Sequence, residues 1–172
     1  MLPPLAAAAL ELKRTRPTLV PVVAAAPALR DAWLPREAAA AGVRRVRGRT
    51  HAVQAFARAC AVSSGTATLE TALFGTPLTV VYRTGRLNYA IARRVVKLTR
   101  IGLPNIVANT DVAPELIQDA LTPASLAASL AAPLDDDAAH ARIVEALAAV
   151  RRNLGAPGAS RRAAERVWAM AG

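Results

Sequence analysis

Residues 61–83, AVSSGTATLETALFGTPLTVVYR, hold the side chains with the clearest chemical potential. Ser63, Ser64, Gly65 and Thr66 fall between a small apolar strand and the start of a helix. Backbone N–H groups left free at a helix start, with the helix dipole behind them, favour a phosphate or diphosphate. Gly65 lets the backbone come close to such an anion, and the hydroxyls of Ser63, Ser64 and Thr66 can add hydrogen bonds. The competing reading is that Ser64 or Thr66 simply caps the helix, as small polar residues commonly do. Glu70 follows Thr66 by four residues, on the same helix face and one turn deeper. It does not fit a capping box, which would need Ala67 as the cap. A carboxylate there is unsuited to phosphate but can accept hydrogen bonds from two vicinal sugar hydroxyls. A solvated surface glutamate is the alternative.

Two further groups of residues bear on chemistry. YRTGRLNYAIARRVVKLTRIG gathers Arg83, Arg86, Arg93, Arg94, Lys97 and Arg100 among Leu87, Tyr89, Ile91, Val95, Val96 and Leu98. Such a basic amphipathic helix suits an anionic membrane surface or a phosphorylated lipid, and equally an ordinary helix with a solvated basic face. Leu103-Pro104-Asn105 places an asparagine after a proline in an expected loop, where it either contacts a ligand or closes a turn. His51 and His140 have no metal-ligand partner at useful spacing, so no metal is expected. Asp135, Asp136 and Asp137 read as an acidic cluster at a helix N-terminus.

The elements that must position these residues alternate. Helices are expected over PLAAAALELKRTR, ALRDAWLPREAAAAG (stopped by Gly42), THAVQAFARA (with Thr50 as a candidate cap), TATLETALFG and APELIQDAL. Strands are expected over TLVPVVAAA, VRRVRG, CAVSS and LTVVYR, and the chain beyond Thr122 reads as helix throughout. Strands alternating with helices imply a parallel sheet covered on both faces. The predicted fold class is α/β, a Rossmann-like parallel sheet with flanking helices. It starts with a helix where such a sheet normally starts with a strand, so its first strand is expected to be missing. Residues 1–172 are read as one domain, with the sheet and its crossover helices in 1–121 and C-terminal helices in 122–172.

The 172 residues are enough for one proper core. The formal charge of +10 draws the chain to polyanions, although arginine far outnumbers lysine, a pattern that G+C-rich codon usage also produces. Nucleic acid is not expected as a partner, because no aromatic stacking platform or known motif accompanies the charge. One cysteine, Cys60, excludes an internal disulfide and fits a reducing compartment. No apolar run reaches the roughly 20 residues of a membrane span, and the N-terminal stretch does not fit a signal peptide. No Walker loop, G-x-G-x-x-G or G-x-S-x-G is present.

Taken together, SSGTATLETALFGTPLTVVYR, LNYAIARRVVKLTRIGLPNIVAN, PELIQDALTPASLAASL and the closing GASRRAAERVW resemble the C-terminal half of the bacterial lipid-A-disaccharide synthase family. The resemblance implies the C-terminal nucleotide-sugar domain of a GT-B glycosyltransferase without bound cofactor or metal. It implies inverting hexosyl transfer from UDP-2,3-diacylglucosamine to 2,3-diacylglucosamine 1-phosphate, with release of UDP. On that reading Ser63, Ser64, Gly65 and Thr66 meet the diphosphate, Glu70 the ribose, and Arg83 is a weaker candidate for the UDP-sugar site. Asn105, matching the family's Leu-Pro-Asn, becomes the catalytic candidate for a donor or transition-state contact. Arg86, Arg93, Arg94, Lys97 and Arg100 would face the cytoplasmic side of the inner membrane, where the acylated substrates reside. The family's N-terminal acceptor domain, with the expected general base, and the first strand of this domain have no counterpart. The chain is therefore expected to be a fragment, inactive alone. A homodimer is left open, and the alternative function is a non-catalytic module binding UDP or an anionic membrane.

Overall fold

The structure is a computed structural model that describes residues 2–25, 39, 42–85 and 100–171. Strand β4 (Leu78–Tyr82) organises the larger of two parallel sheets, pairing with β3 (Cys60–Ser63) on one edge and β5 (Glu115–Ile117) on the other. The smaller sheet joins β1 (Val22–Ala25) to β2 (Arg44–Arg47). The described strands thus form two sheets where a single one was expected. Helices α1 (Leu2–Thr15), α2 (Thr50–Phe56), α3 (Thr66–Leu73) and α4 (Leu103–Ala108) accompany the strands. After β5 and a single tight helical turn, Gln118–Ala120, come α5 (Pro123–Asp135), α6 (Asp137–Leu154) and α7 (Ala159–Ala171).

A strand buried on both faces reads as a continuous apolar run, and Leu78-Thr-Val-Val does so. Leu78 and Val80 face one layer, with Ala72 of α3 and with Leu147 and Val150 of α6. Val81 faces the opposite layer, with Ala8 and Leu12 of α1 and Leu126 and Ala127 of α5. Thr79 shares that second face, and its hydroxyl meets Ser129 Oγ on α5 at 2.7 Å. The period of two along one strand therefore separates two helical layers.

Helix ends follow local chemistry in part. Thr122 and Ser125 form a reciprocal capping box at α5, each side chain meeting the other's backbone N–H at 3.0 Å. The Asp135–Asp137 run does not act as one acidic cluster. Asp136 caps α6 through Ala138 N at 2.8 Å, and Asp137 lies in its first turn, paired with Arg58. Asp135 ends α5 and pairs with Arg16, whose hydrogen bond holds the Asp135 carboxyl below the usual range.

Several expectations are corrected. APELIQDAL does not form a helix: Pro114 and Glu115–Ile117 extend along β4, with Val80 N donating to Pro114 O at 2.8 Å. Gln118 then turns the chain at φ 53°, and its side-chain amide pairs with both backbone groups of Thr84. Partners distant in sequence override the helical pattern there. Thr50 is not a cap, since Arg49 takes that position with no side-chain hydrogen bond to the helix start. Gly42 does turn at φ 69°, as a helix stop should. The helix expected over residues 28–42 lies largely outside the described residues, and the basic stretch 86–99, with Arg86, Arg93, Arg94 and Lys97, lies wholly outside them.

Leu147 is 0 % exposed between α6 and β4, whereas Trp168 on α7 is 83 % exposed. Leu147→Ala should lower stability by about 2–5 kcal/mol, while Trp168→Ala should stay within about 0.5 kcal/mol. Urea unfolding midpoints of the two variants check both expectations.

Candidate functional site

The carboxyl end of β3 delivers Ser63 to Gly65 directly into α3. Gly65 stands at the cap position with φ 149°, a conformation that favours glycine. A Cβ there would meet nothing within 4 Å, so backbone conformation, not crowding, calls for glycine. No side chain caps α3. The competing reading, in which Ser64 or Thr66 caps the helix start, therefore does not hold. Ser64 instead donates its hydroxyl to Ile101 O at 3.1 Å, while Ser63 and Thr66 are exposed. The buried Thr68 anchors the turn by donating to Gly65 O at 2.7 Å. The first N–H groups of a helix have no intrahelical acceptor, so an exposed, uncapped start offers donors to an anion.

Glu70 lies one turn into α3, its side chain 44 % exposed. Its Oε2 is 3.4 Å from Gln54 Nε2 and 3.6 Å from His51 Nε2, both on α2. Gly48, Arg49, Thr50, His51 and Ala52 line an open groove of about 490 Å³ at the carboxyl end of β2. The groove adjoins Glu70 through His51. In the sequence, Thr50 reads only as a candidate cap and His51 as a histidine without a metal-ligand partner, and no local motif marks Gly48, Arg49, Ala52 or Gln54. Their relevance comes from the packing of α2 against α3.

Asn105 is not in a loop. It lies within α4 and is 1 % exposed. Its Nδ2 donates to Ala113 O at 2.7 Å and Glu115 Oε1 at 2.8 Å, and its Oδ1 accepts from Val112 N and Ala113 N, both at 2.9 Å. These four bonds fill the amide's capacity, so in this arrangement Asn105 presents no group to a ligand. Glu115, which the sequence did not flag, also accepts from Ile101 N and Gly102 N at 2.9 Å each. Ile101 is thus held by Glu115 through its N–H and by Ser64 through its carbonyl, which links the Asn105 network to the Ser63–Thr66 loop.

Arg83 donates through Nη2 to Gln118 O at 3.1 Å and Leu121 O at 2.6 Å, tying the end of β4 to the turn after β5. Arg100 pairs with Asp111, Nε to Oδ1 at 2.6 Å. The single cysteine, Cys60, is pushed up to about 11 by burial, which keeps the thiol protonated. Among the described residues, no group of three or more His, Cys, Asp or Glu side chains is placed to hold a metal ion, and no helix is long and apolar enough to cross a membrane.

A model of the lipid-A-disaccharide synthetase family matches residues 1–166. The chain belongs to this family. Its similarity to curated lipid-A-disaccharide synthases covers most of the chain. It is 48 % identical over 139 residues to the synthase of Syntrophus aciditrophicus, covering 79 % of this chain and 36 % of that protein. It is 42 % identical over 170 residues to the synthase of Anaeromyxobacter dehalogenans, covering 97 % of this chain and 44 % of that protein. The synthase of Geobacter metallireducens is 39 % identical over 149 residues, covering 86 % and 39 % respectively. The chain therefore spans less than half the length of these relatives. The family is one of glycosyltransferases of lipid A synthesis, and the parallel α/β architecture agrees with its Rossmann-like C-terminal domain.

Within this family fold, truncating the buried asparagine has a structural consequence. Asn105→Ala leaves Val112 N and Ala113 N without their acceptor and Glu115 without one donor. A loss of about 2–4 kcal/mol is expected, read as a lower urea midpoint. Glu70→Ala, on a half-exposed site, should leave that midpoint nearly unchanged.

Proposed function

We propose that this chain holds the donor nucleotide-sugar in the synthesis of lipid A disaccharide. The reaction is hexosyl transfer from UDP-2,3-diacylglucosamine to 2,3-diacylglucosamine 1-phosphate, with release of UDP. The observation that carries the proposal is the uncapped, exposed start of α3 with Glu70 one turn deeper, in a chain of this family. The diphosphate would rest on the N–H groups at Thr66 and Ala67, with the Ser63 and Thr66 hydroxyls beside them. Glu70 would accept from the ribose hydroxyls, and the base would extend into the groove over residues 48–52.

This placement suits the chemistry. In the transfer step the acceptor hydroxyl oxygen bonds to the anomeric carbon from the face opposite the diphosphate. The bond from that carbon to the diphosphate oxygen breaks, and its electron pair stays on the leaving UDP. Negative charge grows on the oxygen nearest the helix start, where fixed N–H dipoles already point, so stabilisation increases along the reaction. The acceptor's proton passes to a base, expected in the acceptor half of the family's fold.

Arg83 and Asn105 enter this scheme through the loops they hold rather than through ligand contact, given the carbonyls and backbone groups that occupy them. The acyl chains of both substrates would keep the reaction at a membrane, on its cytoplasmic face. The basic stretch at Arg86, Arg93, Arg94 and Lys97 is the proposed contact with anionic lipid. Arg100, at its end, is engaged by Asp111.

Calorimetric titration with UDP tests the donor site. Saturable binding is expected, weakened about tenfold or more by Glu70→Ala, in line with the loss of hydrogen bonds to a charged acceptor. Binding that is not saturable, or that is matched by single-stranded RNA and abolished by moderate salt, would overturn the proposal.

A further inference from the structure

Gln54 belongs to α2, beyond residues 48–52 of the groove proposed for the base, yet it is only 5 % exposed. Its Nε2 donates toward three acceptors on α3: Ala67 O and Thr71 Oγ1, each at 3.1 Å, and Glu70 Oε2 at 3.4 Å. Its Oε1 is buried without a hydrogen-bond partner among the described residues. The amide cannot be reversed, because its carbonyl would then face Ala67 O and the Glu70 carboxylate, which accept and do not donate. A buried acceptor left unpaired destabilises a fold. What the other end of the side chain accomplishes must account for it.

Two of the three acceptors do not depend on Gln54. Thr71 Oγ1 donates to Ala67 O at 2.8 Å, so those groups satisfy each other within α3. Glu70 is different. Apart from Gln54, its carboxylate has only His51 Nε2 nearby among the described residues, at 3.6 Å and on a side chain that is 72 % exposed. Residues 51 and 54 share a face of α2, and both address the same oxygen, Oε2. The other oxygen, Oε1, has no partner among the described residues.

We infer that Gln54 is a positioning residue for the donor site: it holds one carboxylate oxygen of Glu70 so that the other is presented to the ribose. A glutamate side chain free to rotate loses conformational entropy when it binds, and one held beforehand loses less. Thr76, whose hydroxyl donates to Gln54 O at 2.5 Å, fixes the backbone from which this support is given. The inference rests on the reading of Glu70 as the ribose acceptor.

The test uses the full chain with Gln54→Met, which keeps the length and removes both the donor and the orphaned acceptor; Gln54→Leu is read in the same way. Affinities for UDP and 2′-deoxy-UDP are measured for the wild type, for this variant, for Glu70→Ala and for the double variant, beside urea midpoints. Gln54→Met should weaken UDP binding about threefold to tenfold and reduce the preference for UDP over 2′-deoxy-UDP. Its unfolding midpoint should be unchanged or raised, and it should add nothing to the loss in Glu70→Ala. Unchanged affinity and preference would overturn the role of Gln54 while leaving the donor site standing. So would a fall in affinity that only tracks a fall in midpoint, or losses that add in the double variant. If the wild type binds UDP and 2′-deoxy-UDP equally, the reading of Glu70 fails, and the role of Gln54 fails with it.

Discussion

Everything in the larger sheet depends on β4 being buried on both faces. Val80 and Val81, adjacent in sequence, are each 0 % exposed and point into different helical layers. A strand so enclosed must have its backbone groups paired on both edges, and β3 and β5 do this in parallel. Parallel pairing brings the carboxyl ends of the three strands to one edge, with Ser63 beside Val81 and Tyr82 beside Ile117. That edge is where the Ser63–Thr66 loop, the Arg83 clamp and the Gln118 turn meet. The place of the candidate site thus follows from the pairing of the strands, as in other open parallel sheets.

The loops at that edge are shaped by a buried polar network rather than by apolar packing. Glu115 collects three N–H donors, from Ile101, Gly102 and Asn105. Gly102 makes this approach possible: a Cβ on it would lie 2.9 Å from Val80 Cγ2 and 3.0 Å from Glu115 Oε1. The carboxylate therefore sits directly over the start of α4 and pins the backbone at Ile101 and Gly102. Ser64 joins the same point from the other side through Ile101 O. A carboxylate with this many fixed donors is costly to disturb, which gives the proposed diphosphate loop a stiff backing.

Much of the fold was legible because it depends on local pattern. The β-branched run at Leu78–Tyr82, the glycine at 75 that follows α3, and the alanine- and leucine-rich helices beyond Thr122 all form the elements their composition predicts. The Ser63–Thr66 loop and Glu70 were legible too, since a small-residue turn and an i,i+4 spacing suffice to place them on one helix face. Other features were not. Glu115–Ile117 carries helix-compatible residues, and only the vacant edge of β4 makes them a strand. Asn105 follows a proline, a common turn signal, but its side chain is consumed by backbone groups seven and eight residues later.

The sequence by itself determined the α/β class, the family and the placement of the Ser63–Thr66 loop and Glu70 at the start of one helix. These rest on short-range periodicity and on motifs contiguous in the chain. The tertiary structure alone decided that α3 starts without a cap, that Gln54 and His51 reach Glu70 from α2, and that Asn105 is sealed inside. Each depends on groups brought together across the chain by the packing of helices on a sheet, and no spacing within one segment encodes such a meeting.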